Sequence, residues 1–332
     1  MMKVVEPGLL SSIQDNGRRG HQESGMIISG VMDTFSLRIA NYLVGNEEGE
    51  AVLEITLTGP TIEFQEDQLI AICGADFSAT IDDKPAPLWR PVAVKKGSTL
   101  HMKFSKVGCR GVIAVGGGFS VPEVLGSKST YLRAEIGGFE GRGLEKEDII
   151  RIGERSSSSQ RIFERVLKKP VDWSVSGAYT HDVYSRSVMR VIPGKQYEDF
   201  TEESRACFFD QDFKISKQSD RMGFRLDGEN LECGLNGDML SEGVAFGTVQ
   251  VPADGQPIIL LADRQTLGGY PKIGQVASVD LPALIQKKPG EAISFEEISI
   301  QQAQDLFKKR EKEWQELKWM INMKLEGLDG ED

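Results

Sequence analysis

The sequence lacks the features that mark several classes of protein. Its four cysteines are scattered without a CxxC pair, which argues against a zinc site and fits reduced structural thiols. No apolar run approaches the roughly 20 residues that span a bilayer, and the N-terminus has no apolar signal-peptide core. We therefore expect a cytoplasmic protein that has no metal site and no membrane partner.

Positive charge is also in short supply. The chain carries 39 Lys and Arg against 50 Asp and Glu, a formal net charge of −11, and no basic run interrupts this balance except near the C-terminus. We exclude a nucleic-acid partner, because binding to a phosphate backbone relies on clustered cations. The GxxxxGK[ST] phosphate loop is absent too, since Gly116-Gly117-Gly118 lacks the Lys that should follow it.

The sequence is rich in short apolar runs and in glycine. Such runs recur from Val52 to Ile152 and again from Val188 to Phe295, and Gly, Pro and Asp clusters divide them. This spacing predicts a mainly β fold built from barrels or sandwiches. Because 332 residues exceed what a single core usually supports, we expect two such domains.

Two helices and one linker complete the predicted organisation. Asp33 is placed to cap a helix that runs through Val44 and stops at Gly45, whereas residues 1–31 have the composition of a loop. Ser299 opens a long helix with apolar residues at helical spacing. The predicted segments are an N-terminal loop and helix (1–50), a first β-barrel (51–155), a linker that begins with four serines (156–186), a second β-barrel (187–298) and a C-terminal helix (299–326).

The stretch from Pro257 to Pro271 is the first candidate for a functional site. Its five apolar residues predict a buried strand, which ends in a polar cluster and the pair Gly268-Gly269. The glycines allow a positive φ or a close approach to a ligand, with N–H groups directed at an anion. The alternative is a tight barrel turn in which Asp263 bonds its own backbone and Arg264 is solvated.

Many ungapped motifs of the chain resemble a single family. They are Pro7-Gly8-Leu9, Gln14-Asp15-Asn16-Gly17-Arg18, Ser29-Gly30-Val31-Met32-Asp33, Arg38-Ile39-Ala40-Asn41, Val44-Gly45-Asn46, Arg221-Met222-Gly223, Leu240-Ser241-Glu242-Gly243, Gln250-Val251-Pro252 and Ala262-Asp263-Arg264-Gln265-Thr266. They are similar to the KipA/PxpC family, whose members are called biotin-dependent carboxyltransferase-like proteins, allophanate hydrolase subunit 2 and the C subunit of 5-oxoprolinase. The resemblance runs from residue 3 to 296, so the C-terminal helix lies outside it.

The resemblance implies a fold, a reaction and partners. The implied fold is two cyclophilin-like β-barrel domains. The implied protein is the C subunit of an ATP-dependent 5-oxoprolinase, inactive alone, which opens 5-oxo-L-proline (pyroglutamate) to L-glutamate with a KipI/PxpB-like and a LamB/YcsF-like (PxpA-like) subunit. Two alternatives stay open: a carboxyltransferase subunit that acts with biotin on urea or another amide, and a regulatory module that antagonises a KipI-like kinase inhibitor.

Opening a lactam sets requirements that residues of this chain can meet. Amide resonance makes the carbonyl a poor electrophile, so phosphorylation by ATP is one way to activate it, and the site then needs anion donors and a group that moves protons. Asp263 and Asp254 are the candidate acid–base residues. The candidate substrate-binding or anion-binding residues are Arg221, Arg264, Gln265, Thr266, Gly268, Gly269, Tyr270, Gln256, Arg18 and Asp33. Arg18 and Asp33 alternatively pin the N-terminal loop, and a partner subunit would hold ATP or share in holding it.

Overall fold

The computed structural model describes residues 1–235 and 239–326, and the chain divides into two compact units. Unit 1 contains Met1–Arg18, Ser29–Thr180 and the chain from Gln315 onward, whereas unit 2 contains Arg19–Ile28 and His181–Trp314. The helices of the described chain are Thr34–Leu43 (α1), Ser157–Lys168 (α2), Gly177–Tyr184 (α3), Glu202–Asp210 (α4), Leu281–Ile285 (α5) and Ile300–Glu326 (α6). The predictions of a mainly β fold and of a long C-terminal helix are confirmed.

The strands of unit 1 form two antiparallel sheets. They are Met2–Glu6 (β1), Leu10–Gln14 (β2), Val52–Thr56 (β3), Thr61–Phe64 (β4), Gln68–Asp76 (β5), Thr80–Ile81 (β6), Lys84–Pro85 (β7), Pro91–Val94 (β8), Thr99–His101 (β9), Val107–Val115 (β10) and Ile149–Ile150 (β11). One sheet has the order β11-β1-β4-β9-β6-β7 and the other β2-β3-β10-β5-β8. Side chains from both sheets share one apolar core, in which Met2 and Ile62 of the first sheet join Ile72 and Ile113 of the second.

The N-terminal segment is not the loop that its composition predicts. Met2–Glu6 pairs with β4 and β11, and Leu10–Gln14 pairs with β3 over five residues. The polar side chains of β2 are buried and largely hydrogen-bonded, since Ser11 donates to the carbonyl of Pro7 at 2.6 Å and Gln14 donates through Nε2 to that of Thr130 at 3.1 Å. Gln14 Oε1 has no hydrogen-bond partner in the described ranges. Loop composition is misleading here because internal hydrogen bonds offset the cost of burying these polar groups.

Helix α1 confirms the predicted capping signals. The Asp33 carboxylate accepts hydrogen bonds from the Ser36 backbone N–H at 3.0 Å and from the Ser36 hydroxyl at 2.9 Å. The helix ends at Leu43, and Gly45 follows with a φ of +71°. A Cβ at Gly45 would lie 2.7 Å from the backbone nitrogen of Ser159, so the close approach of this backbone requires glycine.

The serine run is part of a helix rather than a linker. Ser156 caps α2 by accepting the backbone N–H of Ser159 at 3.0 Å, and the helix then buries Ile162, Phe163 and Val166. These three apolar residues have the spacing of one helical face. The linker prediction is wrong at this point, because a capping serine followed by such a face begins a helix.

Unit 2 is a closed barrel. Its strands are Val188–Pro193 (β12), Phe213–Ile215 (β13), Gly223–Asp227 (β14), Glu242–Gly243 (β15), Thr248–Gln250 (β16), Ile258–Leu260 (β17), Leu267–Gly268 (β18), Lys272–Val276 (β19) and Ala292–Glu297 (β20). The barrel order is β12-β19-β16-β17-β14-β13-β20, and a parallel pairing of β12 with β20 closes it. Strands β15 and β18 form a separate two-stranded ribbon, which supplies part of the candidate site described below.

Aromatic packing fills one part of the barrel, and helix α6 packs on its outside. Phe208 of α4 stacks on Phe295 with ring centroids 4.5 Å apart. In unit 2, Ala303 and Leu306 of α6 pack against a small cluster that contains Ile298. No helix within residues 1–235 and 239–326 has both the length and the apolar character required to cross a membrane.

The cap of α1 is open to a direct stability test. We expect Asp33→Ala to lower the free energy of unfolding by about 1–2 kcal/mol, because the first turn loses its acceptor. Asp33→Asn keeps a side-chain oxygen and should lose less, and urea denaturation of the full chain measures both. An Asn variant as unstable as the Ala variant would show that the charge of Asp33, not its cap, stabilises the helix.

Candidate functional site

The predicted strand before the polar cluster is confirmed as β17. It delivers the chain from Asp263 to Tyr270 at its C-terminal end, with Asp263 and Arg264 buried and Gln265 exposed. Tyr270 is 45% exposed, and Thr266 is half-buried. This short segment therefore combines buried charges with accessible polar side chains, as binding loops at strand ends do.

A buried two-pronged ion pair fixes the start of this segment. Arg221 Nε lies 2.9 Å from Asp263 Oδ2, and Arg221 Nη2 lies 3.2 Å from Oδ1. The backbone N–H of Asp263 also donates to the carbonyl of Arg221 at 2.8 Å. Both carboxylate oxygens of Asp263 are thus engaged, which gives this residue a structural contact. Its role as an acid or base stays a prediction.

Arg264 follows Asp263 directly but has different surroundings. Its Nε donates to the carbonyl of Val244 at 3.3 Å, and its Nη1 donates to that of Leu261 at 3.1 Å. Burial lowers the pKa of the Arg264 guanidinium, and the positive charge of Arg19 lowers it further. The alternative of a solvated Arg264 is wrong, because its side chain is only 9% exposed.

Position 268 requires glycine because a side chain would clash with its neighbours, and not because the backbone is left-handed. It lies in β18 opposite Glu242, and its φ is not among the positive values of the chain. A Cβ at this position would lie 2.9 Å from both Gln250 Oε1 and Val244 Cγ1. The positive-φ expectation is therefore wrong for Gly268, and equally for Gly269. The close approach of a ligand to Gly268 stays a prediction.

Three charged residues beside Gly268 were not predicted from the sequence. Glu242 forms salt bridges with Lys195 and with Lys272, whose Nζ lies 3.3 Å from Glu242 Oε2. The hydrogen bond from Lys195 is the main cause that lowers the pKa of the Glu242 carboxyl. Lys272 is 8% exposed and is the cross-strand neighbour of Gln250. The motifs containing Glu242 and Gln250 were the available signal, but only the barrel register shows that they meet.

Two predicted residues lie elsewhere in unit 2. Asp254 and Gln256 precede β17, so they are at the opposite end of this strand from Asp263 and Arg264. The Asp254 carboxylate accepts the backbone N–H of Gln256 at 3.1 Å, and Gln256 in turn donates to the carbonyl of Gly228 at 3.1 Å. The structure therefore does not place them in one cluster with Arg264, and their contacts are those of a turn.

Arg18 and Asp33 belong to unit 1, where they hold backbone segments. Arg18 is fully buried, and its guanidinium donates to the carbonyl oxygens of Val124, at 3.1 Å, and of Ser129. Asp33 caps α1 as described above. These contacts are the pinning interactions that we gave as the alternative to ligand binding.

A cleft of about 480 Å³ in unit 1 is a second concave surface. It is lined by Glu47, Glu48, Glu50 and Glu154 together with Lys318, and it contains none of the predicted site residues. Lys318 pairs with Glu48, and Lys128 pairs with Glu50. Its carboxylates make this cleft a poor host for an anionic ligand, so we favour the cluster around Gly268.

Comparison with known proteins identifies the family. A protein-family model, described as "Carboxyltransferase domain, subdomain A and B", matches residues 24–297 of this chain. The C subunit of the 5-oxoprolinase of Haemophilus influenzae is 38% identical over 94% of this chain and 96% of the relative. That of Escherichia coli is 36% identical over 97% of this chain and 99% of the relative. The crystal structure of Kluyveromyces lactis urea carboxylase superposes with a TM-score of 0.81 at 28% identity, covering 94% of this chain and 28% of that one.

The chain therefore belongs to the carboxyltransferase-domain family and, within it, to the KipA/PxpC group that its motifs resemble. The family model spans both compact units and ends before helix α6 begins. The polar and charged cluster around Gly268 lies within the matched region, namely Arg221, Glu242, Gln250, Arg264 and Lys272 together with Lys195.

The ion pair of Arg221 and Asp263 yields a stability prediction. Arg221→Met should lower the free energy of unfolding by about 3–5 kcal/mol, because it leaves the Asp263 carboxylate buried without its cation. The double variant Arg221→Met/Asp263→Leu should lose less than this single variant, because no unpaired charge remains. Urea denaturation measures both.

Arg225→Met is the matched control, since Arg225 is exposed on the same strand β14. It should change the free energy of unfolding by less than about 0.5 kcal/mol. Additive losses in the Arg221/Asp263 double-mutant cycle would contradict a coupled buried pair.

Proposed function

We propose that this chain is the C subunit of a cytoplasmic ATP-dependent 5-oxoprolinase, which opens 5-oxo-L-proline to L-glutamate. The observation that carries the proposal is the extent of the match. The two bacterial relatives, both C subunits of 5-oxoprolinase, are covered over 96% and 99% of their own length, whereas the chain covers 28% of the urea carboxylase structure. The similarity thus extends over nearly the whole of the oxoprolinase relatives and over a minor part of urea carboxylase.

The charged cluster of unit 2 suits this chemistry. Opening the lactam moves negative charge onto the carbonyl oxygen, and phosphorylation of that oxygen by ATP is the activation that we propose. The contribution of this chain is to bind and orient the substrate, for which Arg264 and Lys272 supply buried positive charge and Gln250 a buried amide. Residues 1–235 and 239–326 contain no GxxxxGK[ST] loop, so we assign ATP to a site held with or by a partner subunit.

Partner subunits are part of the proposal. We propose a KipI/PxpB-like and a LamB/YcsF-like subunit, and an enzyme that is inactive without them. Three apolar side chains near the Gly268 cluster are strongly exposed: Leu240 at 86%, Leu267 at 55% and Tyr270 at 45%. Apolar groups grouped on a surface are typical of interaction sites. A partner that covers them would exclude water from the ligand, which a loop open to solvent does not achieve.

A carboxyltransferase that acts on urea or a similar amide with biotin is the second candidate. It is favoured by the TM-score of 0.81 to Kluyveromyces lactis urea carboxylase. This reaction also needs a biotin carrier and a biotin carboxylase. The chain covers 28% of the urea carboxylase structure, so it corresponds to only part of what that reaction requires. Neither candidate follows from the fold alone, since one fold serves several chemistries.

The proposed function is tested by ADP release. We expect the chain mixed with both partner subunits to release ADP and form glutamate only when 5-oxoproline is added, and the chain alone to release none. Urea in place of 5-oxoproline is the control and should give no ADP. A well-formed complex that stays silent with 5-oxoproline would contradict the proposal and favour the regulatory module, whereas ADP release with urea would contradict the proposed selectivity for 5-oxoproline.

A further inference from the structure

We infer that Arg264 and Arg19 together bind the carboxylate of the ligand, so that the site selects a carboxylate-bearing cyclic amide over a neutral amide. This inference rests on the proposed function and deepens it. It names the group that distinguishes 5-oxoproline from urea, because the first carries a carboxylate and the second does not.

The charge balance around Arg264 is the first observation. Arg221 and Arg264 are both buried at the same end of the barrel, and Arg221 has Asp263 as its carboxylate partner. Among residues 1–235 and 239–326, no carboxylate lies within salt-bridge distance of Arg264. A buried cation without a counter-ion is unfavourable, and a bound anion removes that cost. Arg264 therefore lacks the counter-ion that Arg221 has in Asp263, and an anionic ligand supplies it.

The guanidinium of Arg264 is also held in position. The carbonyls of Val244 and Leu261 accept from Nε and Nη1, which fixes the plane of the group. The guanidinium carbon lies 6.0 Å from the ring centroid of Phe246. These two hydrogen bonds leave the N–H groups of Nη2 for a ligand. A planar, immobilised guanidinium matches the geometry of a carboxylate better than a flexible ammonium does.

Arg19 supplies a second positive charge. It is exposed, and it opens the segment Arg19–Ile28, which belongs to unit 2 although it lies between two parts of unit 1 in sequence. Its positive charge acts on the Arg264 guanidinium and lowers the pKa of that group. Within the described part of the chain, Arg19 forms no ion pair. Like charges repel each other, and a bound anion that attracts both offsets this repulsion.

A buried amide beside this pair fits the rest of the ligand. Gln250 is 3% exposed, and its Oε1 has no hydrogen-bond partner in the described ranges. Val244 contacts both parts of the cluster. Its carbonyl oxygen accepts a hydrogen bond from Arg264. Its Cγ1 and Gln250 Oε1 both border the space in front of Gly268, where a Cβ would lie 2.9 Å from each. The ring N–H of 5-oxoproline is a hydrogen-bond donor that suits Gln250 Oε1, an acceptor with no donor of its own. A ligand with both a carboxylate and an N–H group therefore satisfies more of this cluster than a neutral amide.

The test uses the assembled enzyme and one analogue. We would measure the KM for 5-oxoproline and the inhibition constant of 2-pyrrolidinone, which is the same lactam without the carboxylate, in the wild type and in Arg19→Met and Arg264→Lys. Each variant should raise the KM for 5-oxoproline about tenfold or more, since one charge-assisted contact is lost. The inhibition constant of 2-pyrrolidinone should change much less. Arg225→Met, which removes an exposed positive charge from β14, is the matched control and should leave both constants unchanged.

The outcomes distinguish failure of the carboxylate inference from failure of the proposed function. If Arg264→Lys fails to assemble, Arg19→Met decides, because an exposed side chain without an ion pair is not needed for folding. Suppose that the wild-type enzyme turns over 5-oxoproline, but that Arg19→Met raises the KM for 5-oxoproline and the inhibition constant of 2-pyrrolidinone equally, or changes neither. The carboxylate inference is then overturned and the proposed function stands. If the wild type shows no turnover with 5-oxoproline, the proposed function and this inference both fail.

Discussion

The buried ion pair between Arg221 and Asp263 is the interaction on which the candidate site depends. It joins the chain just before β14 to the chain just after β17, and it gives both oxygens of Asp263 a fixed partner. The next residue, Arg264, is consequently held against the carbonyls of Val244 and Leu261. A pair of opposite charges thus positions a neighbouring charge that has no carboxylate of its own within the described residues. Preorganisation of this kind allows a site to bind an anion without rearranging first.

The local parts of the fold could be predicted from the sequence, whereas the long-range parts could not. The apolar run before Asp263 predicted β17, and Asp33 predicted the start of α1, because both signals lie within a few residues of their effect. The partner of Asp263 lies 42 residues away, so only the barrel register brings it close. The N-terminal strands escaped prediction for the same reason, since their polar side chains form hydrogen bonds to residues as distant as Thr130.

The same distinction explains which residues of the candidate site could be selected from the sequence. Arg264 and Gly268 were identified because they follow a strand and form a polar cluster with a glycine pair. Lys272 and Gln250 meet through cross-strand pairing, and Glu242 reaches Gly268 through the β15–β18 ribbon. The family includes both 5-oxoprolinase subunits and urea carboxylase, so the shared fold alone does not give the substrate. In the function proposed above, the charge around Arg264 is the local feature that favours an anionic substrate over a neutral one.

The central claim is that the ligand binds at the Gly268 end of the unit 2 barrel. Amide hydrogen exchange of the assembled enzyme, followed by mass spectrometry with and without 5-oxoproline, tests this location most directly. We expect slower exchange in peptides that cover residues 242–250 and 264–272, and unchanged exchange around the unit 1 cleft at residues 42–50 and 154–162. Protection confined to that cleft, with none at residues 242–250 and 264–272, would contradict the claim.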